Sequence, residues 1–300
     1  MVTIGSAGVL APGKWRWLRA LAWLAALCVA TVAIFNLVAK AAMWLMTSAA
    51  GIAVTPAGPA PAAMRLAAAI AGCVALIATY WCAVRFGERR RVPELDLRQA
   101  PADLLLGLTI GAALMAAIVG TLWSFHWVVI EPRTVDRVAL ALRDSIRSGV
   151  VEELVLRLVV LRLLWRSLGV RPALVGAALL FGALHLANPD SSLFAAGCLI
   201  AGEGIGIGLY LITGRIWSAI GMHAAWNFTQ GWVFGATVSG IAEIAGGPLT
   251  LHPAPGVSAM LSGGGFGPEA SFAALIISLL ASAACLYRAW TLGRFAATDA

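Results

Sequence analysis

The chain has 300 residues, of which 61% are apolar and 12% charged, and its mean hydropathy is +0.89. A soluble domain is closer to roughly half apolar and a quarter charged. The formal net charge is +7, carried mostly by arginines at the ends of apolar runs and not along a basic groove interleaved with aromatics. That distribution speaks for membrane anchoring and against a nucleic-acid partner.

The apolar residues come in uninterrupted runs of about 20, the length that spans the hydrocarbon of a bilayer. Backbone polar groups in lipid must be satisfied within the segment, and the short alternating pattern of a barrel is missing, so the expected class is an all-α polytopic transmembrane bundle. Taken in chain order, the candidate spans are 17–38, 66–84, 104–129, 150–165, 172–187, 193–212, 216–238 and 272–290, about eight in all. The first comes after Lys14, Arg16 and Arg19, and its apolar run is too long for a signal peptide, so it reads as an anchor. A shorter apolar piece, 41–54, either prolongs that helix or lies at the interface. The 131–149 segment has apolar residues at helical spacing between charges, as an interfacial or solvated helix would. The stretch 239–271 is rich in Gly and Pro and reads as a long external loop, a lid or a flexible connector. The whole of 1–300 is then a single integral membrane domain.

Orientation comes from the basic residues of the short loops. Lys14 to Arg19, Arg85 to Arg98, Arg162 to Arg171, Arg215, and Arg288 with Arg294 all fall on one side of an eight-span bundle. That side is expected to be cytoplasmic, with both termini inside, and the Arg-rich, Lys-poor composition points to the cell membrane of a bacterium. The five cysteines all lie in apolar stretches without a CxxC pair and read as packing residues.

Charged side chains inside a span are costly, which makes each one there a candidate for function. The fourth candidate span holds Glu152, Glu153 and Arg157 in apolar surroundings. Glu153 and Arg157 are i,i+4 neighbours and can pair; Glu152 projects about 100° round the helix and is left free. A carboxylate in a dry pocket can act as a general base, although an Arg–Glu packing pair explains the same residues. Phe181 and His185 close the fifth span, where a single histidine is more often an interhelical hydrogen-bonder than a catalyst. In the seventh span His223 and Asn227, also i,i+4, share one helix face. A base, two imidazoles and a neutral amide make up the inventory of a hydrolase.

Glu152-Glu153-x-x-x-Arg157, Phe181-x-x-x-His185 and His223-x-x-x-Asn227 resemble, in order, the three motifs of the CPBP intramembrane proteases. That group contains the CAAX prenyl endopeptidases and bacteriocin-processing or immunity proteins. The resemblance covers roughly 150–230, including the Gly-rich run Gly202 to Gly214 and Arg215, and no departure from the three patterns is visible. It implies that Glu152 with His185 activates the attacking water, that His223 and Asn227 stabilise the oxyanion, and that Glu153 and Arg157 support the site. It leaves the metal open: Glu152, His185 and His223 can serve as ligands to Zn²⁺, yet there is no HExxH and an amide suits an oxyanion better than zinc. The implied partner is a peptide or membrane-protein substrate, prenylated or not, met within the lipid bilayer.

Other chemistries fit less well. No GxSG nucleophile and no pair of intramembrane aspartates is present, and Asn188-Pro189-Asp190 reads as a turn. A scaffold or immunity protein of the same fold has no need of the four polar residues together, and a proton-coupled transporter would show inverted repeats or paired broken helices.

Overall fold

The structure, a computed structural model, describes residues 2–55 and 59–298. Its helices are α1 (Arg16–Ala49), α2 (Ala62–Cys82), α3 (Ala100–Ser124), α4 (Val138–Glu153), α5 (Arg162–Leu168), α6 (Val170–His185), α7 (Leu193–Thr213), α8 (Trp217–Phe228), the single turn α9 (Ala259–Ser262) and α10 (Phe272–Thr291). Four short strands accompany them: β1 (Val2–Thr3), β2 (Val128–Pro132), β3 (Leu249–Pro253) and β4 (Ala297–Thr298). The protein is thus an all-α bundle with two small two-stranded pairings.

Among the described residues, five helical segments are long and apolar enough to cross a membrane: Arg16–Ala49, Ala62–Gly87, Ala100–Ser124, Leu193–Thr213 and Phe272–Thr291, with the shorter Val170–His185 also apolar. Their outer faces carry exposed Val29, Leu37, Leu105 and Leu280, a surface that lipid covers and water does not. Exposed Trp15, Trp17, Trp81 and Trp290 sit at one level of the bundle, and Trp44 and Trp123 at the other. Two aromatic belts of this kind mark the two interfaces of a bilayer.

Several expected boundaries move. The 41–54 piece prolongs α1 as far as Ala49, so it is not an interfacial helix. The third span stops at Ser124, because Val128 onward pairs as a strand. The 131–149 segment is the first part of the same helix that carries Glu152: α4 runs through a π-helical stretch, Leu154–Leu161, into α5 without a break. The fourth span is therefore a helix from 138 to 168 with a charged beginning, and its hydropathy alone does not reveal its length. The seventh span also changes register, from α8 into a π turn over Thr229–Val233.

β1 and β4 pair in parallel, Val2 with Ala297, which places both ends of the chain on one face of the bundle. β2 and β3 pair antiparallel from Val128↔Pro253 to Pro132↔Leu249 at the other end. The 239–271 stretch is therefore no featureless connector. It contributes a strand, and its Phe266 and Ala270 are buried against Ala195 and Leu199 of α7.

Helix α8 packs between α3 and α4, and α7 packs against α6, α8 and α10. Gly107 and Gly111 let the backbones of α3 and α8 touch: a Cβ at either would collide with main-chain atoms of Ser218 or Met222. This is the small-residue mode of helix packing in lipid, where close van der Waals contact replaces the hydrophobic effect. On its other side α8 closes on α4 at Gly149, where a Cβ would stand 3.0 Å from the Ile220 carbonyl oxygen.

Candidate active site

Glu152 and Glu153 lie on the last turn of α4, where the helix changes from α to π geometry. A π turn inserts one extra residue per turn and is often found at functional sites. Glu153 is buried and accepts at Oε1 a 2.8 Å contact with His223 Nδ1, while its Oε2 stands 3.0 Å from Arg157 Nε. The i,i+4 ion pair read from the sequence is therefore present.

Arg157 is buried and reaches a second carboxylate, Glu203 of α7, through Nη1 at 2.9 Å. The guanidinium lies against Gly206, one turn further along, where a Cβ would collide with Nη2. Glycine at 206 is thus what allows an arginine to fill the gap between α4 and α7. Glu153 and Glu203 share one guanidinium, and Glu153 also holds an imidazole, an arrangement that costs desolvation and persists only when the groups hold one another.

His223 is the hinge of the arrangement. Its Nδ1 is occupied by Glu153, so Nε2 is turned to the cavity and stands 3.8 Å from Glu152 Oε2. Glu152 Oε2 has no hydrogen-bond partner in the protein. The carboxylate next in sequence to the bound one is the one left open, as its position round the helix predicts.

His185 is oriented by its own helix: Nδ1 contacts the Phe181 carbonyl at 2.8 Å and the two rings meet at a 60° tilt with centroids 4.4 Å apart. Phe181 also meets His223 edge-on at 6.3 Å, so one aromatic ring spaces the two imidazoles. Asn227 lies one turn beyond His223, and its amide Nδ2 donates to Ser148 Oγ of α4 at 2.8 Å. One amide hydrogen is thereby committed, and the other remains for a ligand.

All six residues picked out by sequence, Glu152, Glu153, Arg157, His185, His223 and Asn227, line one cavity of about 600 Å³. Among the other polar residues that line it, Glu203, Ser148 and Glu269 lie nearest the chemistry and are not singled out by the sequence pattern. Glu203 is an acidic residue inside an apolar span, and the rule that draws attention to Glu152 applies to it equally; only its place in a glycine run hides it. Glu269 gives no such signal. It lies at the end of a Gly/Pro-rich stretch, yet it is buried, accepts from Trp226 Nε1 at 3.1 Å, and takes both the backbone N–H and the hydroxyl of Ser239, at 2.6 and 2.8 Å.

Among the described residues, no group of three His, Cys, Asp or Glu side chains stands together in a way that could hold a metal ion. Glu152, His185 and His223 share the cavity without forming such a group. We therefore derive no step through a metal.

Residues 134–229, from just before α4 to the residue after α8, match the family model described as Rce1-like, type II CAAX prenyl endopeptidase. Over this segment, 96 of the 300 residues, the chain is similar to the type II CAAX prenyl endopeptidases. Comparison with curated proteins and with solved structures returns no match. The matched segment contains the whole Glu152–Glu153–Arg157–Glu203–His223–Asn227 arrangement and His185, but not Glu269 or the helices α1, α2 and α10 that complete the cavity wall.

Proposed function

We propose that the chain is an intramembrane endopeptidase in which Glu152 activates water. The observation that carries this reading is the Glu152 side chain, 33% exposed on the wall of a cavity between apolar helices, whose Oε2 has no hydrogen-bond partner and stands 3.8 Å from a histidine that Glu153 locks from behind. Glu152 takes a proton from water, and the hydroxide attacks the carbonyl carbon of the scissile peptide. The carbonyl oxygen becomes an oxyanion, to which Asn227 donates its uncommitted N–H and His223, in its imidazolium form, donates from Nε2. Collapse breaks the C–N bond, and the proton held by Glu152 passes to the leaving nitrogen. One water is consumed, and a carboxylic acid and an amine are formed. His185, with Nδ1 tied to Phe181, presents Nε2 to the same space and assists in orienting the water. Glu153 and Arg157 act as positioning residues.

A general base contributes typically ~10²–10⁴ in rate, so Glu152→Ala is expected to lower peptide cleavage by at least about 100-fold while the protein still inserts into membranes. Cleavage is read on a peptide library with the purified protein in detergent or vesicles; full activity in this variant would end the assignment. No metal takes part in this mechanism. A strong zinc chelator is accordingly expected to leave the rate unchanged, and a reversible loss restored by Zn²⁺ would overturn that part. The proposed setting is the bacterial cell membrane, with both termini cytoplasmic, and the partner is a peptide or membrane-protein segment.

A further inference from the structure

The two ends of the bundle differ in access to the cavity. At the end holding the paired termini, Glu88, Arg90, Glu94, Tyr80 and Arg162 are all buried. Arg162 grips Glu88 through both terminal nitrogens, at 2.7 and 2.8 Å, and Arg90 links Glu88 to Glu94, to which Tyr80 also donates at 2.6 Å. Trp23 of α1 donates to Glu88, and Arg162 reaches the Ile4 carbonyl, so the N-terminal segment lies across this cluster. None of the cavity's lining residues comes from 83–99, 162–171, 213–218 or 289–298, the stretches that form this end. The cluster is a plug.

At the opposite end the helices line the cavity with the halves that lie away from the termini. Lys40 and Met43 come from the second half of α1, Arg65 and Ala68 from the start of α2, and Arg143 and Arg147 from the start of α4. The mouth is framed by an ion-pair strap: Glu243 of the 239–271 stretch bonds Arg65 at 2.6 Å and Arg143 at 3.2 Å. Asn188, after α6, donates to the Ser239 carbonyl at the same level. The site therefore communicates with one side of the membrane, the side away from the termini.

Lysine and arginine of short loops remain on the cytoplasmic side. Lys14, Arg16, Arg19, Arg85, Arg89, Arg91, Arg98, Arg166, Arg171, Arg215, Arg288 and Arg294 belong to the plugged end. The open end has Lys40, Arg65 and the arginines between 133 and 147.

From the plug, the mouth and the charge bias, we propose that the cavity opens on the extracytoplasmic face and that its substrate is a polypeptide segment already moved across the membrane. This rests on the proteolytic reading above and specifies the substrate class of that site. The reaction that supplies the substrate is then protein translocation. A C-terminal segment held in the cytoplasm, prenylated or not, has no route to Glu152 past the Glu88–Arg162 plug.

Two full-length variants test the sidedness in cells where the chain is native. Ile241→Cys places a thiol at the mouth, at a position 42% exposed, and Leu97→Cys places one at the plugged end, 70% exposed. A membrane-impermeant maleimide is applied to intact spheroplasts and again after permeabilisation, and labelling is read above that of the wild-type cysteines. We expect Ile241→Cys to label before permeabilisation and Leu97→Cys only after it. In the same cells, new protein N-termini lost with Glu152→Gln are expected among exported polypeptides and the external segments of membrane proteins. The reverse labelling order, or Glu152-dependent termini confined to cytoplasmic proteins, overturns the proposal and leaves the protease reading standing. The expected labelling with no Glu152-dependent terminus anywhere overturns the protease reading itself, and the substrate class with it.

Discussion

Two buried polar clusters stand at different depths of the same bundle, and their difference separates structure from chemistry. Around Glu88 two arginines, two glutamates and a tyrosine satisfy one another, and no side-chain atom of the five is left buried without a hydrogen bond. Around Glu153 the residue types are nearly the same, yet Glu152 Oε2, Glu153 Oε2, Arg157 Nε and Glu203 Oε2 are all buried without one. Glu153 and Arg157 attract each other at 3.0 Å but meet at an angle that does not make a hydrogen bond. A buried polar group without a partner costs about 1–3 kcal/mol, so the second cluster carries a penalty that the first avoids. A saturated network holds helices together, whereas unsatisfied atoms facing a cavity can bind and activate a ligand.

Several substitutions can break or sharpen this contrast. The largest effect is expected at Glu152, where cleavage falls by about 100-fold or more with no loss of folded protein. Next come the arginines. Removing one partner of a buried pair costs roughly 3–5 kcal/mol, so Arg162→Ala and Arg157→Ala are both expected to reduce folded, detergent-extractable protein, measured by thermal unfolding. Where enough Arg162→Ala survives, its activity per folded molecule should be near wild type, while that of Arg157→Ala should not. Equal specific activities would erase the distinction between the clusters.

A smaller effect is expected at Glu269. Glu269→Gln weakens the acceptor for Ser239 and Trp226, for roughly 1–3 kcal/mol. Limited proteolysis should then cut the 239–271 segment faster, with cleavage of substrate reduced less than in Glu152 variants. An unchanged proteolysis rate would show that the segment is held by Phe266 and the strand pair alone.

The least effect belongs to Glu243, half exposed at the mouth. The hydrogen bond from Arg65, opposed by partial burial and aided by the charges of Arg143 and Arg65, holds its carboxyl below the ordinary range. A depressed folded value means that the strap's contribution is present above the ordinary carboxylate range and is lost as pH falls through the folded value. Exposed pairs contribute at most about 1 kcal/mol, so Glu243→Gln should scarcely change stability. It should, however, give the 239–271 segment at neutral pH the protease sensitivity that the wild type reaches only in acid. A wild-type segment whose sensitivity does not change on acidification would remove Glu243 as a clamp.

The plug also shows where reading by position falls short. Arg90 belongs to the Arg89-Arg90-Arg91 run and Arg162 to the basic end of a span, and both look in sequence like residues that merely mark a side of the membrane. Arg89 and Arg91 remain at that surface, but Arg90 turns inward to Glu88 and Glu94, and Arg162 is wholly buried. A run of like charges carries no information about which member faces a distant glutamate.

By itself the sequence determined the features that depend on short-range periodicity and on lipid as solvent. It required helices, it separated Glu152 from Glu153 by their angle round one helix, and it paired Glu153 with Arg157 and aligned His223 with Asn227 at a separation of four. Tertiary structure decided everything that joins segments far apart in the chain: the contact of His223 with Glu153, the entry of Glu203 and Glu269 into the cavity, the strand pair that orders 239–271, and the end at which the cavity opens. The physical reason is one of range. Helical pitch and the cost of charge in lipid act over neighbouring residues and are written in every window of sequence. The partner of a buried polar atom is set by which helix the glycines of another allow to come close, and only the packed bundle shows that.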